Sequence, residues 1–158
     1  MRSRGPGRRQ ANLVVLLAAL ALALGYLDAV ATLYARALAG PRTLAPGPPA
    51  PTAAQLPDWL LTSEQSRAAL LLLVLVAVAL LIVGRPLRRL AALALLAGAL
   101  GLARYASLKI LTDWPTSWQC PEYLPLVAPS VSFPVWVPFA LSSGLAVLGW
   151  LLLRRTRE

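Results

Sequence analysis

Two charges stand inside stretches that are otherwise almost wholly apolar. Asp28 interrupts LVVLLAALALALGYLDAVATLYA, and Arg104 interrupts LAALALLAGALGLARYASLKIL. A lone carboxylate or guanidinium in such surroundings is costly, and opposite charges on neighbouring helices relieve each other. Helical spacing puts Thr32 and Arg36 on the face of Asp28, at i+4 and i+8. Tyr105, Ser107 and Lys109 follow Arg104. The candidate site is therefore Asp28, Thr32, Arg36, Arg104, Tyr105 and Lys109. Two chemistries fit these residues. One is a structural ion pair, with Arg and Lys side chains that snorkel to lipid headgroups. The other is a net-basic pocket for an anionic headgroup, a carboxylate or a quinone-like polar ring.

A second candidate region is the segment DWPTSWQCPEYLP at 113–125, with its two tryptophans, two acids and the only cysteine of the chain. Asp113, Trp114, Trp118, Cys120, Glu122 and Tyr123 are the residues of interest there. A single cysteine makes neither an internal disulfide nor a CxxC redox pair. Cys120 is read either as a thiol that pairs with another protein or as a small, half-buried residue.

The chain contains no histidine. That removes bis-histidine haem, the usual zinc and di-iron sites, and nucleophile systems that depend on histidine. No metal site, no cofactor and no catalytic residue is predicted. The later-span aspartate motifs of lipoprotein signal peptidases are not matched either. Those motifs are flanked by Asn and Gly, whereas the one Asn here is Asn12 and Asp113 lies in TDWP.

The elements that must position these residues follow from composition. The 158 residues are 58% hydrophobic and 13% charged, with a mean hydropathy of +0.68. The apolar residues form long runs rather than amphipathic stripes, as expected where lipid is the solvent for the outer helix faces. The runs cover 13–35, 68–84, 90–111 and 135–153. At about 1.5 Å per residue they extend about 26 to 35 Å, the scale of a hydrocarbon core of about 30 Å. The predicted fold is an all-α integral membrane protein, a four-helix transmembrane bundle forming one domain. Gly98, Gly101, Ser142, Ser143 and Gly144 are its expected close-packing positions.

Charge predicts the direction of the spans. Arg2, Arg4, Arg8, Arg9, Arg85, Arg88, Arg89, Arg154, Arg155 and Arg157 gather on one side with Glu158, a sum of 10 − 1 = +9. The other side and its flanks carry Arg36, Arg42, Arg67, Arg104 and Lys109 against Asp28, Asp58, Glu64, Asp113 and Glu122, a sum of 5 − 5 = 0. Arg and Lys are retained in the cytoplasm, so both ends, 1–12 and 154–158, are expected there. The expected location is the plasma (inner) membrane, multi-pass. The Arg-, Ala- and Leu-rich composition points to a GC-rich bacterial genome. A rival reading takes MRSRGPGRRQ with LVVLLAALALALG as a cleaved signal peptide. It leaves the other three spans as they are.

Two external, proline-rich loops are expected, at about 36–67 and 112–134. PRTLAPGPPAPTAAQLP reads as an extended spacer. After it, Thr62 and Gln65 have capping-box spacing and suggest a helix start, with Asp58, Trp59, Leu60 and Leu61 as a short turn on the interface. In the second segment LPLVAPSVSFP is too apolar for a free loop and too broken by proline for a helix. It is expected at headgroup level or folded over the helix mouth. Trp59, Trp114, Trp118 and Trp136 fall on this outer side, as in an aromatic belt.

From depth alone, Asp28 and Arg104 lie about 22 and 21 Å along outward-running helices and meet at one level in the outer leaflet. The expected function is a non-enzymatic accessory or lipid-interacting membrane component, with the bilayer and a larger membrane complex as partners and no nucleic acid. The alternative is a membrane enzyme or carrier for a lipid-like or anionic substrate near Asp28 and Arg104.

Overall fold

A computed structural model describes residues 6–39, 58–82, 85–124 and 128–155. It is mostly helical, in the order α1 (Pro6–Ala39), α2 (Asp58–Leu81), α3 (Pro86–Thr112), β1 (Pro121–Leu124), β2 (Ala128–Pro134) and α4 (Trp136–Arg155). Three helices contain stretches long and apolar enough to cross a membrane: Asn12–Tyr34, Pro86–Thr112 and Trp136–Arg155. The apolar part of α2 that is described, Gln65–Leu81, is shorter. The proline-rich stretch at 40–57 and the ends at 1–5 and 156–158 lie outside the described residues.

Apolar residues surround each helix rather than forming one stripe. Leu16, Leu22, Leu73, Leu80 and Leu148 all point outward, the pattern of helices whose outer face meets lipid. The helices start where local chemistry permits. Pro6 opens α1, and Pro86 sits in the first turn of α3, where a missing N–H costs nothing. α2 begins at Asp58, four residues before the Thr62–Gln65 pair at capping-box spacing. The segment 58–61 is thus the first turn of the helix and not a separate interfacial turn.

α3 is the central element, with α4 and α1 packed along it and α2 touching it more lightly. Small residues make the close approach possible. A Cβ on Gly25 would stand 2.6 Å from the Ala103 Cβ and 2.8 Å from the Arg104 nitrogen, so α1 rests directly on α3 there. A Cβ on Gly149 would lie 2.6 Å from the Ala91 carbonyl oxygen and 2.8 Å from the Leu95 Cα. Gly98 and Gly101 meet α4 at Ser142 and Ala146 in the same way. Gly144 does not belong to this seam, because nothing lies within 4 Å of its added Cβ. Ser143 turns its hydroxyl to the Phe139 carbonyl at 2.9 Å. Leu17, Ala21, Leu75, Ala92 and Leu96 form the buried apolar cluster between α1, α2 and α3.

The segment between α3 and α4 contains an antiparallel hairpin. Pro121 pairs with Pro134, Glu122 with Phe133 and Tyr123 with Ser132, and the register shifts between Tyr123 and Leu124. A strand pair was not expected in so proline-rich a stretch. A two-stranded hairpin consists only of edge strands, however, and proline is tolerated on an edge where its missing N–H breaks no ladder bond. Asp113 ends α3 in the left-handed conformation, φ 57°, with its N–H on the Lys109 carbonyl. The peptide bond between Trp114 and Pro115 is cis. The chain is then tied back to α4, with Val135 donating to the Cys120 carbonyl at 2.9 Å and Trp136 to that of Trp118 at 3.3 Å.

Candidate functional site

The hairpin end of the helices holds one connected charged cluster. Asp28 on α1 receives two guanidinium groups: Arg104 Nε stands 3.1 Å from Oδ2, and Arg67 Nε stands 3.4 Å from Oδ1. Arg104 reaches further, placing Nη1 3.0 Å from Oε1 of Glu122 on β1. The second oxygen of that carboxylate accepts the Tyr105 hydroxyl. Thr32 donates to the Asp28 carbonyl at 2.8 Å and accepts from Arg67 Nη2 at 3.1 Å. Its hydroxyl therefore links the backbone of α1 to the side chain of α2.

Two acids and two bases give this cluster a net charge of zero. Glu122 and Thr32 are the buried polar residues among those described, at 3% and 1% exposure. Glu122 is held this deeply with a guanidinium paired to one oxygen and the Tyr105 hydroxyl bonded to the other. Arg67 Nε, Arg104 Nε and Glu122 Oε1 lie at ion-pair distance from their partners yet off the line of a good hydrogen bond. We therefore regard those contacts as charge pairing rather than directional bonding.

Of the residues singled out from sequence, Asp28, Thr32, Arg104, Tyr105 and Glu122 come together. Lys109 does not join them. Its ammonium lies 2.7 Å from the Asp113 carboxylate and donates to the Asp113 and Pro115 carbonyls, so it closes the end of α3. The side chains of Arg36 and Tyr123 are outside the described residues. Trp114 stacks on Tyr105 at 6.4 Å, and Phe139 meets Tyr105 at 6.1 Å and Trp118 at 5.2 Å. Tyr105 is buried, while Trp118 and Trp136 remain exposed.

Cys120 is half-buried in the turn before β1, with its sulfur 3.5 Å from Thr116 Oγ1 and 3.7 Å from Ser117 Oγ. Burial pushes the thiol up, but hydrogen bonds from Thr116 and Ser117 outweigh it and hold the thiol below its ordinary value. No cluster of His, Cys, Asp and Glu suited to a metal occurs among the described residues.

Arg67 is the member of the cluster that sequence reading placed elsewhere, as a flanking charge of the second span. A signal was present: the bases and acids on that side balance, so each base had a candidate acid. The Glu122–Arg104 contact was hidden by the assumption that the cap was a loop, since only the hairpin turns Glu122 toward α3. Compared with known protein families, curated proteins and solved structures, the chain matches none.

Proposed function

We propose that the protein is a small, non-enzymatic polytopic membrane component whose hairpin end is a latched cap. In this reading α1, α2, α3 and α4 all cross the bilayer as a bundle. Both termini and the Arg85–Arg89 start of α3 are cytoplasmic, and the hairpin lies outside. The membrane is the plasma membrane of a bacterium. The charge asymmetry of the sequence supports that direction. The balanced cluster is the observation that carries the functional reading. Asp28, Arg67, Arg104 and Glu122 neutralise one another and join three helices to the hairpin. Groups arranged in this way hold a surface in place for lipid or a partner protein.

Purification in mild detergent followed by native mass spectrometry tests the proposal. A stoichiometric protein partner or co-purified lipid agrees with it. A partner-free species that converts an added lipid substrate would replace it with an enzyme acting near Asp28 and Arg104. For topology, a reporter active only in the cytoplasm should work when fused at Pro86 or after Glu158 and fail at Pro48. Activity at Pro48 would contradict the four-span arrangement.

A further inference from the structure

The cluster sums to zero, but its charges are not evenly accessible. The two acidic side chains are 10% and 2% exposed, for Asp28 and Glu122, while the two basic ones are 23% and 21% exposed, for Arg67 and Arg104. The carboxylates are the more buried side of the cluster and the arginine side chains, with their Nε atoms turned inward, form its more exposed rim. An approaching molecule meets positive charge first. We infer that this rim is a binding site for the headgroup phosphate of an anionic phospholipid, with Arg67 as the main contact. The inference deepens the lipid-interacting reading above and rests on it.

Three observations carry it. The first is depth. The uninterrupted apolar run of α2 begins at Ala68, so Arg67 immediately precedes it, within reach of headgroup oxygens for a long, snorkelling side chain. Exposed Trp118 and Trp136 mark a headgroup level at the same end. The second is donor supply. A guanidinium has five N–H donors in a planar fork. The described partners of Arg67 are Asp28, held through an Nε off the hydrogen-bond line, and Thr32. Guanidinium donors at the hydrocarbon edge need oxygen acceptors, and a phosphodiester supplies them with a matching charge and geometry. The third is rigidity. Asp28 fixes both guanidinium groups on the same carboxylate, and Thr32 pins Arg67 from the side, so little side-chain freedom is lost on binding.

The purified full-length protein in a neutral detergent is titrated with phosphatidylglycerol, phosphatidylcholine or inorganic phosphate and followed by native mass spectrometry and thermal unfolding. Phosphatidylglycerol should bind saturably, one per chain, at least about tenfold more tightly than phosphatidylcholine. Arg67→Gln should remove that preference while Arg154→Gln, at the other end of α4, retains it. Equal binding of the two lipids, or an undiminished preference in Arg67→Gln, overturns the site. Stabilisation by inorganic phosphate equal to that by the lipid overturns the lipid as its occupant. If Arg67→Gln does not fold, a photoreactive phosphatidylglycerol on the wild type decides. Adducts should map near residues 28–32, 65–68 and 104, and adducts spread along α4 overturn the proposal. Binding in detergent does not depend on which side faces out, so a failed topology test and a failed lipid site remain distinguishable.

Discussion

Towards the start of α3, that helix meets α4 through Gly149, seated against the backbone of Ala91 and Leu95. At the hairpin end the same helix presents Arg104 and Tyr105 to Asp28 and Glu122. The first contact is made by shape: small residues let backbones touch, and dispersion follows from close approach. The second is made by charge pairing together with the directional hydrogen bond from the Tyr105 hydroxyl to Glu122. Apolar seams suit a permanent contact between helices that never see water. A polar cluster suits the place where a β-hairpin, too small to bury a core of its own, must be fastened to helices.

The largest expected effect breaks the shape side of this contrast. Gly149→Val places side-chain atoms in the backbone of α3, and we expect a loss of about 3 kcal/mol or failure to fold. Thermal unfolding in detergent checks it. A loss under about 1 kcal/mol would mean that the seam yields easily. Next comes Asp28→Asn, which leaves two guanidinium groups beside a neutral amide. A loss of about 1 to 3 kcal/mol is expected once snorkelling and water soften the cost. Arg67→Gln in the same background should cost less than in the wild type, because the two changes remove one shared interaction.

Smaller effects sharpen the contrast. The Cys120 thiol is held below its ordinary value by Thr116 and Ser117, and the thiolate is the reactive form. Its alkylation rate should therefore rise with pH through a midpoint below that of an ordinary exposed cysteine. Thr116→Val should move the midpoint upward, and an unchanged midpoint would exclude the hydroxyl as its cause. Smallest of all, Gly144→Ala meets nothing within 4 Å. It should be neutral or stabilise by about 0.5 kcal/mol, as helical glycine gives way to a better helix former.

The helices were legible in the sequence because long apolar runs follow directly from a lipid solvent. Their ends were less so: α1 extends to Pro6 and Ala39, and α2 starts at Asp58. Those end turns mix charged and apolar residues, RALA at 36–39 and DWLL at 58–61, and lie beside proline, so no apolar run marks them. Asp28 and Arg104 stood out because a charge in an apolar run has few ways to be tolerated. Arg67 did not, because a base at the end of a span looks like any flanking charge until a neighbouring helix brings an acid to it. The hairpin was illegible for a related reason. Its residues are set by pairing across the turn at Pro121–Pro134 and Glu122–Phe133, and no local preference of so many prolines announces a strand.

The contact between Arg104 and Glu122 is where the latched cap is most directly tested. A double-mutant cycle of Arg104→Gln, Glu122→Gln and the pair, followed by thermal unfolding, measures the coupling between helix and hairpin. Labelling of Cys120 in the same proteins reports whether the hairpin stays in place. A latch predicts that each single change costs about 2 kcal/mol, that the double change costs clearly less than the sum, and that Cys120 labels faster in all three variants. Additive losses with unchanged labelling would show that the hairpin is held by something other than its buried carboxylate.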